Sequence, residues 1–564
     1  MRRALVLAAC VASILVAPAG AWAHAVLLRT VPAASRLVNT PPRSVALVYS
    51  EAVEPRFAVV SVTDAAGRQQ ASGPPHRSAV DADELDVPLR PLREGWYLVF
   101  WRAISADGHP VRGAFTFAVG PNPGPAPAFV IPSLSETAAT PTLVAARFAS
   151  FLGLLAAIGL FAFRLAITRP LRGPPRALSV AFWLALGVAL VAVPVYVLLA
   201  TAQFALRHAW ALGALVPLLR TSAFGRGYLD LELLLLLFAV AAAVALWLER
   251  PRRAQRSVAE LLALGGAVLA GSAALLAPGA AGHAAQTSPR ALALSLDWLH
   301  LAAGSVWLGG LVGLLVLAWS LPASQRLAGL AVCVPCFSNM ALVSVVALLG
   351  SGVGAAVLHL PTLATLWETS YGQTIIVKAS LLLAAIVLAS VNLLRARPAL
   401  AGADPSPHAA VLLWRLAGGE VLLVAGAVCA AAVLSSLPPP PKALAGLGSA
   451  SATVGPGPVT SVVDEHGYRL ELRVSPNRVA VPNDFAVRIT RRGTAVRGAR
   501  VTATLTMLDM EMPEQSYALA ESSPGLYRRA SPALVMVGHW GLSFEIAPPG
   551  VAPFTVLLVD RAAG

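Results

Sequence analysis

The segment Ser105-Ala106-Asp107-Gly108-His109-Pro110-Val111 sets a carboxylate and an imidazole two residues apart. On an extended strand that spacing points both side chains to one side. Taken alone, Asp107-Gly108 reads equally well as a turn with an incidental histidine after it. The start of the chain changes the balance. Arg2 and Arg3, the apolar run Ala4 to Val16 and the small-x-small triplet Ala21-Trp22-Ala23 have the build of a secretory signal. Cleavage after Ala23 leaves His24 at the head of the mature chain. Its free amine, with an ordinary pKa of about 8, and its ring nitrogen then chelate one ion from a single residue. With Asp107 and His109 they make a tetragonal nitrogen and oxygen set, which suits Cu(II).

A second group of chemistry-bearing residues lies in apolar surroundings. Asp297 and His300 stand three apart in Asp297-Trp298-Leu299-His300, on one face of a helix. His283 precedes them, and His359 and Lys378 follow. Ionisable side chains inside membrane spans are costly and therefore functional candidates. His300 is read either as a metal ligand or as a hydrogen-bond partner to a neighbouring helix, and Asp297 either as part of a site or as an ion-pair partner of Lys378. Cys333 and Cys336 form a Cys-x-x-Cys pair. Two thiolates suit Cu(I), but the favoured reading is a pair of small apolar packing residues.

The third group is soft. Met507, Met510 and Met512 crowd into seven residues ending at Pro513, and Met536 and His539 come soon after. Thioethers select Cu(I); the alternative is that these methionines fill a core.

These residues need elements to hold them. The chain has 564 residues, 57% hydrophobic and 12% charged, too few charges for an ordinary soluble protein. Eight apolar stretches approach or reach the length that crosses a bilayer: approximately Leu143–Ile167, Leu178–Ala202, Leu231–Leu248, Val258–Leu276, Leu294–Trp319, Phe337–Leu358, Thr374–Leu394 and Val411–Ser436. The formal charge of +14 does not indicate nucleic acid, because its arginines sit in loops between spans. With the N-terminal part outside, inner loops carry Arg169, Arg172, Arg176, Arg250, Arg252, Arg253, Arg256, Arg326, Arg395 and Arg397, against outer Arg207, Arg220, Arg226 and Arg290. That asymmetry orients the chain, and an even number of spans returns the C-terminus to the outside. His24 to Gly120 and Thr460 to Gly564 alternate apolar and polar residues between proline and glycine turns, as small β-sandwiches do. Cys10 leaves with the signal, so three cysteines remain and no disulfide framework is evident.

Three resemblances attach to these motifs. HAVLLRTVPAASRLVNTPPRSVALVYSEAV and GWYLVFWRAISADGHPVRGAFTFAVG resemble the opening and closing motifs of CopC copper-binding proteins. That resemblance implies copper ligation by His24, Asp107 and His109, with Glu51 as an outer hydrogen-bond partner. No methionine occurs from His24 to Gly120, so the Cu(I) site of some relatives is not expected. LDWLHLAAGSVWLGGL, FSNMALVSVVALLGSGV and TSYGQTIIVKASLLLAAIVLASVN resemble the CopD membrane family, which implies copper passage or resistance and His283 and His300 as ligands. The Cys333/Cys336 pair departs from that family's pattern. SSPGLYRRASPALVMVGHWGLSFEI resembles YtkA-like or FixH-like domains.

The expected organisation is a signal peptide (1–23), an Ig-like copper-binding sandwich (24–120), a Pro-rich linker (121–141), an eight-helix transmembrane bundle (142–437), a second linker (438–459) and an all-β sandwich (460–564). The expected function is capture of Cu(II) outside a bacterial cytoplasmic membrane and transfer to the helical unit for uptake or resistance, without enzymatic turnover. Periplasmic copper chaperones are expected partners besides the ion and the bilayer. A membrane-anchored copper sensor or chaperone is the alternative, and a copper-dependent oxidative enzyme a more distant one.

Overall fold

The computed structural model describes residues 27–33, 36–50, 53–104, 110–124, 127, 140–171, 175–205, 212–249, 256–285, 287–401, 406–437, 440, 451–479, 481–508, 514–531, 533–534 and 538–562. The chain divides into a helical unit and a β unit.

The N-terminal part of the β unit is a sandwich of two four-stranded sheets. One holds β1 (Leu27–Val31), β3 (Ser44–Tyr49), β5 (His76–Arg77) and β6 (Glu84–Pro88) in the order β1-β3-β6-β5. The other holds β2 (Leu37–Val38), β4 (Val59–Asp64), β7 (Gly95–Ile104) and β8 (Pro110–Val119) in the order β2-β8-β7-β4. Strand β7 breaks the expected alternation, being buried from Tyr97 to Ile104. A 3₁₀ turn, Pro55–Phe57, explains this: the buried Arg102 guanidinium donates to the Phe57 carbonyl at 3.2 Å, so the turn lies over the face the alternation leaves to solvent. The Tyr97 hydroxyl donates to the Arg93 carbonyl at 2.7 Å and accepts from the Arg93 N–H at 3.0 Å, pinning the entry to the strand.

The C-terminal part is a ten-stranded sheet made of β9 (Ala452–Val454), β10 (Val459–Glu465), β11 (Tyr468–Ser475), β12 (Asn483–Arg491), β13 (Thr494–Ala495), β14 (Arg500–Met507), β15 (Gln515–Ser523), β16 (Leu526–Ser531), β17 (Gly538–Ala547) and β18 (Phe554–Ala562). Strand β11 follows the expected period of two, burying Tyr468, Leu470, Leu472 and Val474. Strand β15 pairs with both β14 and β16, and so joins the halves of the domain. The β10–β11 turn is the pair His466-Gly467, both at positive φ (51° and 77°). A two-residue hairpin of matching twist requires that conformation.

Among the described residues, eight helices are long and apolar enough to cross a membrane: Pro141–Ala166, Arg176–Ala205, Ala223–Leu248, Val258–Ala280, Arg290–Ser320, Ala323–His359, Ser370–Leu400 and Pro407–Leu434. Two begin well before the expected positions. The third starts at Ala223, where Ser222 Oγ accepts the Gly225 N–H at 2.8 Å; Arg226 and Asp230 make that stretch look too polar. The sixth runs on through Pro335 from Ala323.

The first and fifth helices are the most enclosed, each about half buried, and glycine sets how closely they cross. A Cβ on Gly159 would lie 1.8 Å from the Ser305 carbonyl oxygen, and one on Gly309 would lie 2.3 Å from the Gly159 carbonyl carbon. Gly310 is closed by the Phe337 ring in the same way. Close backbone approach is what small residues supply between membrane helices. Gly159→Leu is therefore expected to cost more than about 3 kcal/mol, read as loss of monodisperse protein from detergent extracts. Gly350, which faces open space, tolerates alanine in the same assay.

The buried Arg147 of the first helix donates to the Tyr196 hydroxyl of the second, and to the Ala432 carbonyl (3.2 Å) and the Ser436 hydroxyl of the eighth. It ties three helices together without a carboxylate.

Candidate metal centre

The hairpin β7–β8 stays in register out to the pair Ile104 and Pro110. The five-residue connection between them carries Asp107 and His109. Strand β1 begins with Leu27 opposite Tyr49, and the Tyr49 ring meets Trp101 edge-on, with centroids 5.7 Å apart. Trp101 is pressed onto Gly113 of β8, where a Cβ would lie 2.7 Å from its ring. Leu27, Tyr49, Ile104 and Pro110 thus share one end of the sandwich. His24 is three residues from Leu27, a reach of about 10 Å in extended chain, and Glu51 is two residues from Tyr49. His24, Glu51, Asp107 and His109 themselves lie outside the described residues.

In the helical unit the expected polar residues come together in part. His300 of the fifth helix lies between two others: its Nδ1 is 3.2 Å from Ser351 Oγ of the sixth, and its Nε2 is 3.2 Å from Lys378 Nζ of the seventh. Ser351 donates its own proton to the Ala347 carbonyl at 2.7 Å, so Nδ1–H donates to Ser351 and Nε2 accepts from the Lys378 ammonium. Gly352 lets the ring in, since a Cβ there would stand 3.3 Å from His300 Cε1. Asp297, one turn before His300, feels the Lys378 charge and fills the space left by Gly279, where a Cβ would be 2.3 Å from its Oδ2.

His283 and His359 form a second pair of positions. Thr287 Oγ1 donates to the His283 carbonyl at 2.9 Å and contacts His359 Nε2 at 3.2 Å. Among the described residues, no three His, Cys, Asp or Glu side chains converge as a ready metal cage. Cys333 is buried with its thiol toward the Ile167 carbonyl at 3.7 Å, while Cys336 is exposed.

Comparison with known proteins puts names to these three regions. Residues 27–120 match the CopC domain, 331–434 match Copper resistance protein D, and 463–545 match the YtkA-like family. Copper resistance protein C of Escherichia coli is 34% identical over 106 residues, covering 83% of that protein and 18% of this chain. The chain belongs to the CopC family, in a CopC–CopD fusion with a YtkA-like domain behind it. Copper transport protein CutJ of Bacillus subtilis (strain 168) is 26% identical over 537 residues, covering 93% of each chain. The crystal structure of CopC from Methylosinus trichosporium OB3b is 31% identical, with a TM-score of 0.17, covering 18% of this chain and 98% of that one.

The CopD match takes in Ser351, His359 and Lys378, whereas His283 and His300 precede it. Ser351 and Thr287 were not expected at the site. Hydroxyls in apolar helices usually bond their own backbone, and no sequence spacing reveals that these two also meet histidines 51 and 72 residues away.

In the YtkA-like domain, Met507 is 2% exposed and sits opposite Trp540 in the β14–β17 register. It fills the core, as the alternative reading of the methionines has it. The Leu508 N–H donates to the His539 carbonyl at 2.8 Å, and the His539 side chain is exposed. Leu508 and Gly538 thus stand at the same end of the β14–β17 pair. Met510, Met512 and Met536 lie outside the described residues.

Next to Trp540 in the register stands Asp560, wholly buried. Its Oδ1 accepts from Asn477 Nδ2 at 2.8 Å. Burial pushes its carboxyl up to about 6, against the lowering pull of the Asn477 hydrogen bond. A carboxyl raised in the folded state stabilises the fold below its unfolded value of about 4, and that contribution is lost as pH rises through about 6. The YtkA-like domain is expected to lose up to about 3 kcal/mol across that window. Asp560→Asn flattens the loss, which urea melts followed by tryptophan fluorescence read directly.

Proposed function

We propose that this CopC–CopD fusion binds Cu(II) at His24, Asp107 and His109 outside the cytoplasmic membrane and passes copper to the eight-helix unit for uptake or resistance. What carries the reading is the coupling, in one chain, of a CopC domain to a polar His300–Lys378 contact inside apolar helices. Eight helices are more than an anchor needs. His300 and Asp297 lie within the first three turns of the fifth helix, at the end that the arginine distribution assigns to the outside. Copper arriving from the CopC domain meets that end first.

The outer cluster offers imidazole and carboxylate, which take copper in either oxidation state. Met510, Met512 and Met536 supply soft donors suited to Cu(I) on the same side of the membrane, and His539 an imidazole. Both soluble domains face the periplasm in this reading, where copper chaperones are the expected donors. The protein acts by binding and passage, with no turnover of a substrate.

Isotopic copper uptake into cells, comparing the native protein with His300→Ala, is the test. Uptake that falls to the level of cells lacking the protein supports passage. Equal uptake by native, variant and null strains overturns uptake and leaves a resistance role or an anchored copper sensor.

A further inference from the structure

The helices that hold the outer cluster line a second polar place farther along. A cavity of about 100 Å³ lies among the fifth to eighth helices, walled in part by Trp307, Phe337, Ser338, Asn392, Leu413 and Glu420. At about 1.5 Å per residue it lies roughly 10 Å beyond His300 on the fifth helix. On the seventh it lies roughly 20 Å beyond Lys378.

Glu420 is 2% exposed. Its carboxylate accepts hydrogen bonds from Asn392 Nδ2 and from the Trp307 side chain, and neither donor is charged. Among the described residues it is the one titratable side chain lining the cavity. Arg395 and Arg415, the charges near it on the seventh and eighth helices, are both exposed. On the sixth helix Cys333 turns to the Ile167 carbonyl and Cys336 is exposed. On the first, Arg147 is engaged by Tyr196 and Ser436. A carboxylate held within a span without a cation is expensive to keep permanently charged.

Asn392 opens a π turn, Asn392–Ala396, in the seventh helix. Such turns recur where a helix does something besides pack. Its Oδ1 is buried and has no hydrogen-bond partner. An amide presents a donor on one side and an acceptor on the other. With Glu420 ionised, Nδ2–H faces the carboxylate, which is the arrangement present. With Glu420 protonated, half a turn of the amide brings the orphan Oδ1 to accept the carboxyl O–H. Asn392 thus answers both protonation states of its neighbour. The cavity has room for about three waters at roughly 30 Å³ each, and its oxygen donors do not favour Cu(I).

We propose that Glu420 is a proton-binding station in the membrane unit. A proton from cavity water forms the carboxyl O–H and returns to water on release, with the Asn392 amide turning to meet each state. Coupling of that proton to copper rests on the transport reading above; the proton site itself does not.

Infrared difference spectra of the purified full chain across neutral pH, without copper, test the site. A protonated-carboxyl C=O band is expected that Glu420→Gln removes. Asn392→Leu keeps the band and shifts it to higher frequency, because the O–H loses its acceptor. Native and Glu420→Gln spectra that superimpose overturn the proposal, and so does a band unmoved in Asn392→Leu, which covers a glutamine variant that fails to fold. In proteoliposomes with a trapped pH dye, copper-driven proton movement is expected to fall about tenfold in Glu420→Gln; copper carried with undiminished proton movement overturns the coupling. A native protein that carries no copper overturns the transport reading, and the infrared comparison still decides the carboxyl.

Discussion

One extra residue ahead of His24 is expected to remove tight Cu(II) binding from the exported CopC domain. The extension turns the His24 amine into an amide, whose nitrogen binds a metal only after losing its proton, and moves the free amine one residue away from the ring. The ring of His24 then loses its chelate partner, and a four-donor set falls to three donors that no longer share a residue. A loss of about 4 kcal/mol corresponds to roughly a thousandfold in affinity. Copper titration with electron paramagnetic resonance checks it, on the domain produced with and without the extra residue. His24→Ala keeps the amine and loses the ring, so it is expected to weaken binding by a similar amount. Asp107→Ala removes an oxygen donor and changes the spectrum more than the affinity. An extended domain with native affinity and an unchanged spectrum refutes the chelate. It also removes the reason for assigning copper to this end of the sandwich.

The sequence made this end of the molecule readable because its signals are local. The hairpin strands around residues 105–109 announce themselves by aromatic content, and β7 and β8 pair as that pattern implies. The eight spans were legible for the same reason: each is a continuous apolar run, and all eight helices cover the expected stretches, with the largest errors at the starts of the third, where Arg226 and Asp230 lie, and of the sixth, which runs on through Pro335. What stayed hidden needed two helices at once. Lys378 meeting His300 is a contact across 78 residues, made by side chains that reach between the fifth helix and the seventh. The Gly159–Gly309 crossing is another: glycine in an apolar helix is common, and which two touch is a matter of register. Glu420 was different, a lone acid in plain view in the eighth span, whose meaning came only with Asn392 and the cavity. Met507 shows the limit of composition, since a crowd of methionines reads equally as soft ligands or as core filling, and only the fold shows this one buried opposite Trp540 in the register.

Lys378→Met is expected to make the membrane unit unstable without copper and unusually responsive to it. In the native protein the ammonium occupies the one lone pair of His300 that a metal needs, because Nδ1–H is committed to Ser351. For copper to be ligated at Nε2, Lys378 must move aside, which would make the lysine a tethered cation that the metal displaces. Its removal leaves the Asp297 carboxylate without its balancing charge in apolar surroundings. Stranding a buried charge in this way costs about 3–5 kcal/mol. A copper ion bound at His300 and Asp297 restores the balance, so added copper is expected to raise the midpoint of thermal unfolding far more in Lys378→Met than in the native protein. The double variant Asp297→Asn, Lys378→Met has neither charge, and is expected to regain stability in metal-free buffer and lose the copper response. His300→Ala in the Lys378→Met background separates ligation from charge balance: if His300 is a ligand, the copper response disappears while the instability remains. A Lys378→Met protein as stable as the native one, and indifferent to copper, would show that the ammonium neither balances Asp297 nor guards the imidazole, and the outer cluster would then be a packing contact between helices.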